Sequence, residues 1–370
     1  MKIHIMHILY SFGLGGLEGE IASLINKMDS ATFTHSICVF SDELAALQKI
    51  KSPAVDVYSV KRRFRNDPST ISQLCTLLRK HQPDIVRTYN WTGVEGIIAA
   101  KLCGIKNIIH SEHGFALEEI FKRKRRRILA RRFLFRYCAK IITVSQTFRR
   151  WLLDEVRVGG DRVVYIPNGC DLARFFPGKE VELRKSLGIK DNDIIIGTVG
   201  SLIELKNQKS LIEAFRNVIA SYGNLKLMLV GEGPLRKELE MLVEKSGIKE
   251  ETVFTGSVVE PAPFYRAMDI FVLPSLTENM PNTLLQAMAT ALPIIATDVG
   301  DIRYMLEGEK GGIVIKPKDI YALTSAIKYF LENPQASKER AAFGRARVEN
   351  KFNISTTKVA YEALYKSVIS

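Results

Sequence analysis

Cysteine is scarce in this sequence, and its pattern offers no pairing. Cys38, Cys75, Cys103, Cys138 and Cys170 are odd in number and widely spaced, with no CxxC among them. That excludes a disulfide framework and a Cys/His zinc module, and it fits buried thiols in a reducing cytosol. The six histidines show no HExxH or similar spacing, so no metal site is expected. No run of 18 apolar residues exists, which argues against a membrane-crossing helix. The opening MKIHIMHILYS lacks a basic leader region and a small-residue cleavage site, and Glu18 and Glu20 follow closely. It reads as a first buried strand and not as a signal peptide. Low-complexity tracts are missing too, which rules out a largely disordered chain.

What is present is ordinary globular material: 370 residues, 46% hydrophobic and 25% charged. That length suggests two domains, each able to bury a core without staples. The balance is basic, with 53 Lys and Arg against 40 Asp and Glu, a net charge of +13. Such a surplus suits an anionic ligand, a nucleic acid or an anionic membrane. Eight of the eleven residues in Lys122–Arg132 are Lys or Arg. No nucleic-acid module or aromatic stacking motif accompanies them, so nucleic acid is not an expected partner.

Short β-branched runs alternate with helical patterns. Strands are expected at Lys2–Tyr10, His35–Phe40, Val55–Val60, Asp84–Tyr89, Asn107–Ser111, Lys140–Val144 and Val163–Ile166. Several are apolar throughout, as parallel strands covered on both faces are. Helices are expected between them, including Leu17–Met28 and Ser69–His81; in the latter, Ile71, Leu74, Leu77 and Leu78 share one face. The pattern restarts after the turn-rich stretch 167–180. Its second series of strands is Asp193–Gly200, Leu225–Val230, Thr252–Thr255, Ile270–Leu273, Pro293–Thr297 and Gly312–Ile315, with helices at Gln208–Ser221, Leu235–Lys245 and Pro281–Thr290. The expected fold is therefore α/β: two Rossmann-like domains with parallel sheets facing across a cleft. The domains are placed at 1–170 and 171–350, with a C-terminal helix over 351–370 packing back on the first.

Four motifs can carry chemistry. Gly13-Leu14-Gly15-Gly16-Leu17-Glu18-Gly19 follows the first strand and opens a helix, where backbone N–H groups favour an anion. Glu18 stands where a dinucleotide fingerprint needs glycine, although Asp42 after the second strand keeps that reading open; a plain strand–helix turn is the simplest alternative. Ser111-Glu112-His113-Gly114 puts a histidine at a strand tip. Gly200–Gln208 places Lys206 where a point charge can reach a diphosphate. The most specific block is Pro274–Ala289. A polar loop there carries Glu278, Pro281 is expected as the first helical residue, and the helix N-terminus offers N–H groups to a phosphate. Glu278 can accept sugar hydroxyls, and Gln286 lies one turn into the helix, within reach of a ribose.

Taken in order, these pieces resemble a retaining glycosyltransferase of family four with the GT-B fold, similar to bacterial sugar transferases of exopolysaccharide and cell-surface glycan assembly. The resemblance covers essentially the whole chain: GLGGLE, SEHG at 111–114, YIPNGCDLARF at 165–175, GSLIELKN at 200–207, LVGEGPL at 229–235, VFTGSV at 253–258, the block at 274–289 and GGIVIKP at 311–317. It implies that Gly15 and Gly16 approach the donor phosphate or acceptor, that His113 faces the donor sugar, and that Lys206 pairs with the diphosphate. Gly256, Ser257 and Val258 would surround the base. Glu278 would hold sugar hydroxyls, the backbone of Asn279, Met280, Pro281 and Asn282 the phosphate, and Gln286 the ribose. Three positions depart from the family pattern: Ser201 where arginine is usual, Gln286 where a second glutamate is usual, and Asp301 where glycine is usual.

The expected activity is transfer of a sugar, with retention, from a nucleoside diphosphate sugar to a hydroxyl. His113, Lys206 and Glu278 are the catalytic candidates. The donor is a UDP- or GDP-sugar, no cofactor or metal is required, and the acceptor is a glycan or a lipid-linked glycan. An anionic membrane is the expected partner of Lys122–Arg132, which gives a cytoplasmic enzyme on the inner face of the membrane. The alternatives are a nucleotide-sugar epimerase on the same scaffold and an inactive or binding homologue.

Overall fold

The computed structural model describes residues 2–52, 55–62, 67–114 and 125–369. The chain divides into two compact units, Met1–Asn168 with Ile354–Ser370, and Gly169–Asn353.

The first unit is a seven-stranded sheet in which every pairing is parallel. Its strands are β1 (Ile3–Leu9), β2 (Phe33–Val39), β3 (Val55–Ser59), β4 (Ile85–Tyr89), β5 (Ile108–Glu112), β6 (Lys140–Thr143) and β7 (Val163–Tyr165). They lie in the order β3-β2-β1-β4-β5-β6-β7. The sequence reading placed all seven to within two residues. Five helices connect them among the described residues: α1 (Gly16–Lys27), α2 (Pro68–His81), α3 (Val94–Leu102), α4 (Arg125–Leu134) and α5 (Gln146–Trp151). The boundaries of α2 have local causes. The Asp67 carboxylate accepts from the Ser69 N–H at 2.9 Å, Pro68 occupies the first turn, and Gln82 ends the helix in the left-handed region at φ 42°.

The second unit repeats the design with six parallel strands: β8 (Ile194–Val199), β9 (Leu225–Val230), β10 (Thr252–Gly256), β11 (Ile270–Leu273), β12 (Ile294–Thr297) and β13 (Ile313–Ile315). Their order is β10-β9-β8-β11-β12-β13. Its helices are α6 (Val181–Ser186), α7 (Gln208–Ile219), α8 (Arg236–Lys245), α9 (Ala262–Ala267), α10 (Asn282–Ala289), α11 (Ile302–Met305), α12 (Ile320–Glu332) and α13 (Pro334–Lys351). In both sheets the order reverses direction beside the first strand, which leaves a crevice at the carboxyl ends of β1 and β4, and again at those of β8 and β11.

The chain returns to the first unit as α14 (Ile354–Ile369). Tyr361, Leu364 and Tyr365 of α14 pack on Ile5, Ile85, Ile109 and Ile142, successive strands of one sheet face. Strand pleating sends Met6, Ile8 and Val86 to the opposite face, where they join the core under α2 and α3. On the α14 side, a polar layer separates two apolar clusters. Its centre is Arg87, 1% exposed, whose guanidinium donates to the hydroxyls of Tyr365 (2.6 Å) and Tyr361 (2.9 Å) and to Ser111 Oγ (3.2 Å). It also lies 4.3 Å from the Tyr361 ring centroid and 4.8 Å from that of Tyr89.

A buried cation whose partner is removed keeps its desolvation penalty. Tyr361→Phe should therefore destabilise the first unit by about 1.5–3 kcal/mol, the range for a hydrogen bond to a charged group. Both tryptophans, Trp91 and Trp151, lie in this unit. Urea unfolding followed by tryptophan fluorescence should show the loss, and an unchanged midpoint would remove Tyr361 from this role.

Candidate active site

In the second unit, the crevice between β8 and β11 is where two predicted residues meet. The loop after β8 turns through a short 3-10 segment, Glu204–Lys206, and the loop after β11 carries Glu278. Lys206 Nζ donates to Glu278 Oε1 at 2.5 Å, and Ser275 Oγ donates to the same oxygen at 2.8 Å. The two loops are tied by their backbones, Leu276 N–H to Leu205 O at 2.8 Å, and by Asn207 Nδ2 to Pro274 O at 3.1 Å. Lys206 and Glu278 are mostly covered but reachable, at 25% and 11% side-chain exposure. A cation and a carboxylate held together at a strand-end crevice can exchange each other for a diphosphate and sugar hydroxyls when such a ligand arrives.

The 278–282 segment is underpinned from β12. Gly300 adopts φ 58°, and a Cβ there would sit 2.2 Å from Glu278 O and 2.8 Å from Asn279 O. Only glycine fits so close to that backbone. Asp301, in the position where glycine is usual in the family resemblance, donates its N–H to Asn279 O at 2.9 Å and is itself buried. This backbone bond braces the loop and does not depend on the aspartate side chain. Pro281 is the residue before α10 and not its first helical residue as expected; its ψ of 123° is extended, so Asn282 begins the helix. The positive end of the helix dipole still lies next to the loop, with the Leu284 and Leu285 N–H groups bonded to Pro281 O at 3.2 and 3.3 Å. One turn further on, Gln286 accepts at Oε1 from the Tyr265 hydroxyl at 2.9 Å. Its carbonyl oxygen is thus used internally, and the amide nitrogen is the atom left out of that bond.

Ser201 is exposed and Gly200 precedes it in an open conformation. Gly256 ends β10, with its carbonyl accepting from Gly231 N–H at 3.0 Å; Ser257 is exposed and Val258 half-buried beside it. The strand ends of β8, β9 and β10 therefore gather these predicted residues on the same edge as Lys206.

In the first unit, Gly15 and Gly16 are exposed at the start of α1, after β1. The carboxylate of Glu18 folds back over Gly15: a Cβ on Gly15 would lie 2.1 Å from Glu18 Oε2. Burial raises the Glu18 pKa above its ordinary value. The acid that breaks the dinucleotide fingerprint thus occupies its own helix N-terminus. His113 follows β5, with its N–H donated to Asn90 Oδ1 at 2.8 Å and its Nδ1 3.5 Å from Glu20 Oε2. Sequence reading missed Glu20, Arg87 and Asn90. The signal for Glu20 was present: it is an acid on the face of α1 that otherwise carries Ile21, Leu24 and Ile25, all buried.

Around Arg87 the titratable groups are strongly shifted. Burial, with Arg87 nearby, lowers His35 and His113 to about 3, and burial with His35 and Arg87 drives His7 well below its ordinary value. Burial raises Glu20 to about 7 against the pull of Arg87. His7 Nδ1 and the Tyr89 hydroxyl are 2.7 Å apart, and His7 Nε2 and His35 Nδ1 3.0 Å. On the other sheet face, Glu112 and Arg131 form a fully buried ion pair at 2.7 Å. Burial alone would raise Glu112, but Arg131 and His110 hold it at about 2.

The basic run is only partly a surface. Lys122–Lys124 lie outside the described residues. Of the remainder, Arg131 is fully buried and Arg127 is 7% exposed, while Arg132 donates to the carbonyls of Val156 and Glu155. The outward face of α4 is mixed, with Arg125 and Arg126 beside Leu129 (59% exposed) and Phe133 (53%), and Arg136 just beyond. Among the described residues no helix is long and apolar enough to cross a membrane.

Two Rossmann-like units, one with a lysine–glutamate pair at its strand-reversal crevice, define the GT-B class of sugar transferases. Comparison with known proteins agrees. The family described as Glycosyltransferase Family 4 matches residues 14–174, and the one described as Glycosyl transferases group 1 matches residues 179–347. The UDP-Gal:alpha-D-GlcNAc-diphosphoundecaprenol alpha-1,3-galactosyltransferase of Escherichia coli is 28% identical over 88% of this chain and 87% of its own. The capsular polysaccharide biosynthesis glycosyltransferase CapM of Staphylococcus aureus is 25% identical over 95% and 94%. Among solved structures, Anabaena Alr3699/HepE in complex with UDP-glucose superposes with a TM-score of 0.84 at 19% identity, covering 99% of this chain and all of that one. The chain belongs to the family-four-like glycosyltransferases of GT-B fold. The epimerase alternative is not favoured.

The buried histidines make acid stability a property of one unit. All six histidines lie in the first unit and none in the second. An unfolded chain protonates them near pH 6.5, whereas the folded chain protonates His35 and His113 only near pH 3. Stability present above pH 6.5 is therefore lost as pH falls. Glu20 has the opposite sign, because the folded chain keeps its proton up to about pH 7. Four lowered imidazoles (His4, His7, His35 and His113) against two raised carboxyls (Glu18 and Glu20) leave a net uptake of about two protons on unfolding, on the order of 2–3 kcal/mol per pH unit. Between pH 6.5 and 5 the tryptophan-detected urea midpoint should fall. A midpoint that stays level would show that the buried imidazoles do not carry this load.

Proposed function

We propose that this enzyme transfers a sugar, with retention, from a UDP- or GDP-sugar to a hydroxyl of a glycan or lipid-linked acceptor in cell-surface glycan assembly. The observation that carries the reading is the Lys206–Glu278 contact at 2.5 Å in the β8/β11 crevice. Donor binding would replace it: Lys206 moves its charge to the diphosphate, and Glu278 accepts hydroxyls of the sugar. The N–H groups of Asn279 in the loop and of Asn282 at the start of α10 would share the phosphate charge that develops as the bond to the sugar breaks. Ser257 and Val258 at the end of β10 would border the base. His113 keeps its candidate role as a donor-sugar contact. Gln286, with its oxygen held by Tyr265, would offer a ribose oxygen its amide N–H; this differs from the two acceptor atoms of a glutamate. Support for the donor class comes from the solved UDP-glucose complex of the Anabaena protein, and for the acceptor class from the diphosphoundecaprenol-linked substrate in the name of the Escherichia coli relative.

The same reading assigns the leaving charge to Lys206 and helix N–H groups, so no metal ion is needed. Lys206→Ala should weaken UDP-sugar or GDP-sugar binding by about 1.5–3 kcal/mol, as for a lost charge-assisted hydrogen bond, with the fold intact. Calorimetry in EDTA measures this directly. Unchanged affinity in the variant, or binding abolished by the chelator and restored by Mg²⁺, would overturn the assignment.

For an acceptor carried by a lipid, the outward face of α4 supplies a surface. Arg125, Arg126 and Arg136 flank the exposed Leu129 and Phe133, a basic and apolar mixture suited to the inner leaflet. On this reading the enzyme would work at the cytoplasmic membrane face. Co-sedimentation should show salt-sensitive binding to vesicles containing anionic lipid, reduced in Leu129→Ser/Phe133→Ser. Equal binding to neutral and anionic vesicles would rule it out.

A further inference from the structure

We propose that Glu20 is a positioning residue for His113, and that its carboxyl decides which nitrogen of the imidazole carries the hydrogen. This rests on the reading of His113 as a donor-sugar contact.

The main chain of His113 is already pinned. Asn90 Oδ1 takes its N–H at 2.8 Å, and Asn90 is held by its own N–H to Ser111 O at 2.8 Å and by the Gly93 N–H to its carbonyl at 3.1 Å. Asn90 pays for this position with φ 52° and ψ −178°, a backbone region that side-chain-bearing residues seldom enter. With the backbone fixed, what meets Nδ1 helps to set the ring's hydrogen-bonding state. Glu20 Oε2 lies 3.5 Å from it, with the carboxyl 4% exposed on the inner face of α1 and Oε2 in no hydrogen bond among the described residues.

A neutral imidazole has one donor and one acceptor nitrogen, and the partner of one sets the role of the other. If Glu20 is ionised, it accepts from Nδ1–H, and Nε2 presents a lone pair. If Glu20 is protonated, its O–H donates to Nδ1, and Nε2 carries the hydrogen. The surroundings keep the two titrations apart. Burial and then Arg87 of β4 hold His113 at about 3, with Glu112 of β5 raising it and His110 lowering it. Burial raises Glu20 to about 7, opposed by Arg87. Among the described residues, Tyr89 of β4 and Tyr361 and Tyr365 of α14 are also coupled to Glu20, and all three stay protonated at neutral pH. The imidazole thus remains neutral while the carboxyl exchanges its proton, and the ring changes tautomer instead of charge. Near neutrality, Nε2 of His113, which is buried, would change from hydrogen-bond donor to acceptor.

The test is long-range ¹H–¹⁵N NMR of ¹⁵N-histidine-labelled protein from pH 5.5 to 8.5, with the His113 signals assigned by His113→Gln. In native protein the two ring nitrogens should exchange protonated and unprotonated character with a midpoint near pH 7. Glu20→Gln and Glu20→Leu should abolish that step, and with it any step near pH 7 in UDP-glucose affinity. A His113 tautomer that is independent of pH in native protein, or a step that persists unchanged in either folded variant, would overturn the proposal. The native spectrum decides even if a variant fails to fold. Failure of any nucleotide sugar to bind would defeat the functional reading separately, because the tautomer measurement needs no ligand.

Discussion

The first unit is organised by one buried guanidinium. Burial works against the charge of Arg87, and the hydroxyls of Tyr361, Tyr365 and Tyr89 more than compensate, holding its pKa above the ordinary value. A cation so placed needs partners, and they come from the far end of the chain. Tyr361 and Tyr365 sit on α14, nearly 280 residues beyond β4, with separations of 274 and 278. The same charge helps keep His7, His35 and His113 neutral and lowers the cost of an acid at Glu20. The closing helix is therefore part of the electrostatic setting of the strand tips, in addition to covering the apolar sheet face through Leu364.

The second unit solves a different problem, that of keeping two opposite charges ready at a crevice. Lys206 and Glu278 neutralise each other at 2.5 Å, so neither stands alone in a partly dry site. Their positions are set by backbone. Leu276 bonds to Leu205 across the crevice, and Gly300 comes so close beneath Glu278 and Asn279 that no side chain fits. Strand order does the rest, because β8 and β11 are neighbours only where the sheet reverses direction. The two charged residues come from loops, but the loops are aimed by the sheet.

Much of this was legible in the sequence because most of the parallel strands are buried on both faces and announce themselves as apolar runs, and the thirteen strands among the described residues fall where short β-branched runs alternate with helical patterns. The block at 274–289 was legible for a related reason, since a strand end, a polar loop and a helix start leave a local pattern. Pro281 was off by one position, which lies within the fraying of any helix start. The basic run misled more seriously. Composition counts Arg131 and Arg127 as surface charge, yet Arg131 lies fully buried against Glu112 and over Trp91 and Trp151. A charge run carries no signal of which members will find buried partners.

The sequence by itself determined the two α/β units, their strands and the glycine loop, and singled out Lys206, Glu278 and His113 as candidates, because each of these readings depends on neighbours in the chain. Tertiary structure alone decided the pairings between distant residues: Arg87 with α14, Glu20 with His113, Lys206 with Glu278, and Tyr265 with Gln286. The physical reason is that periodicity reports which face of an element is buried and not what it is buried against. A polar residue on an apolar face, such as Glu20, has its chemistry defined by the partner that the fold brings to it.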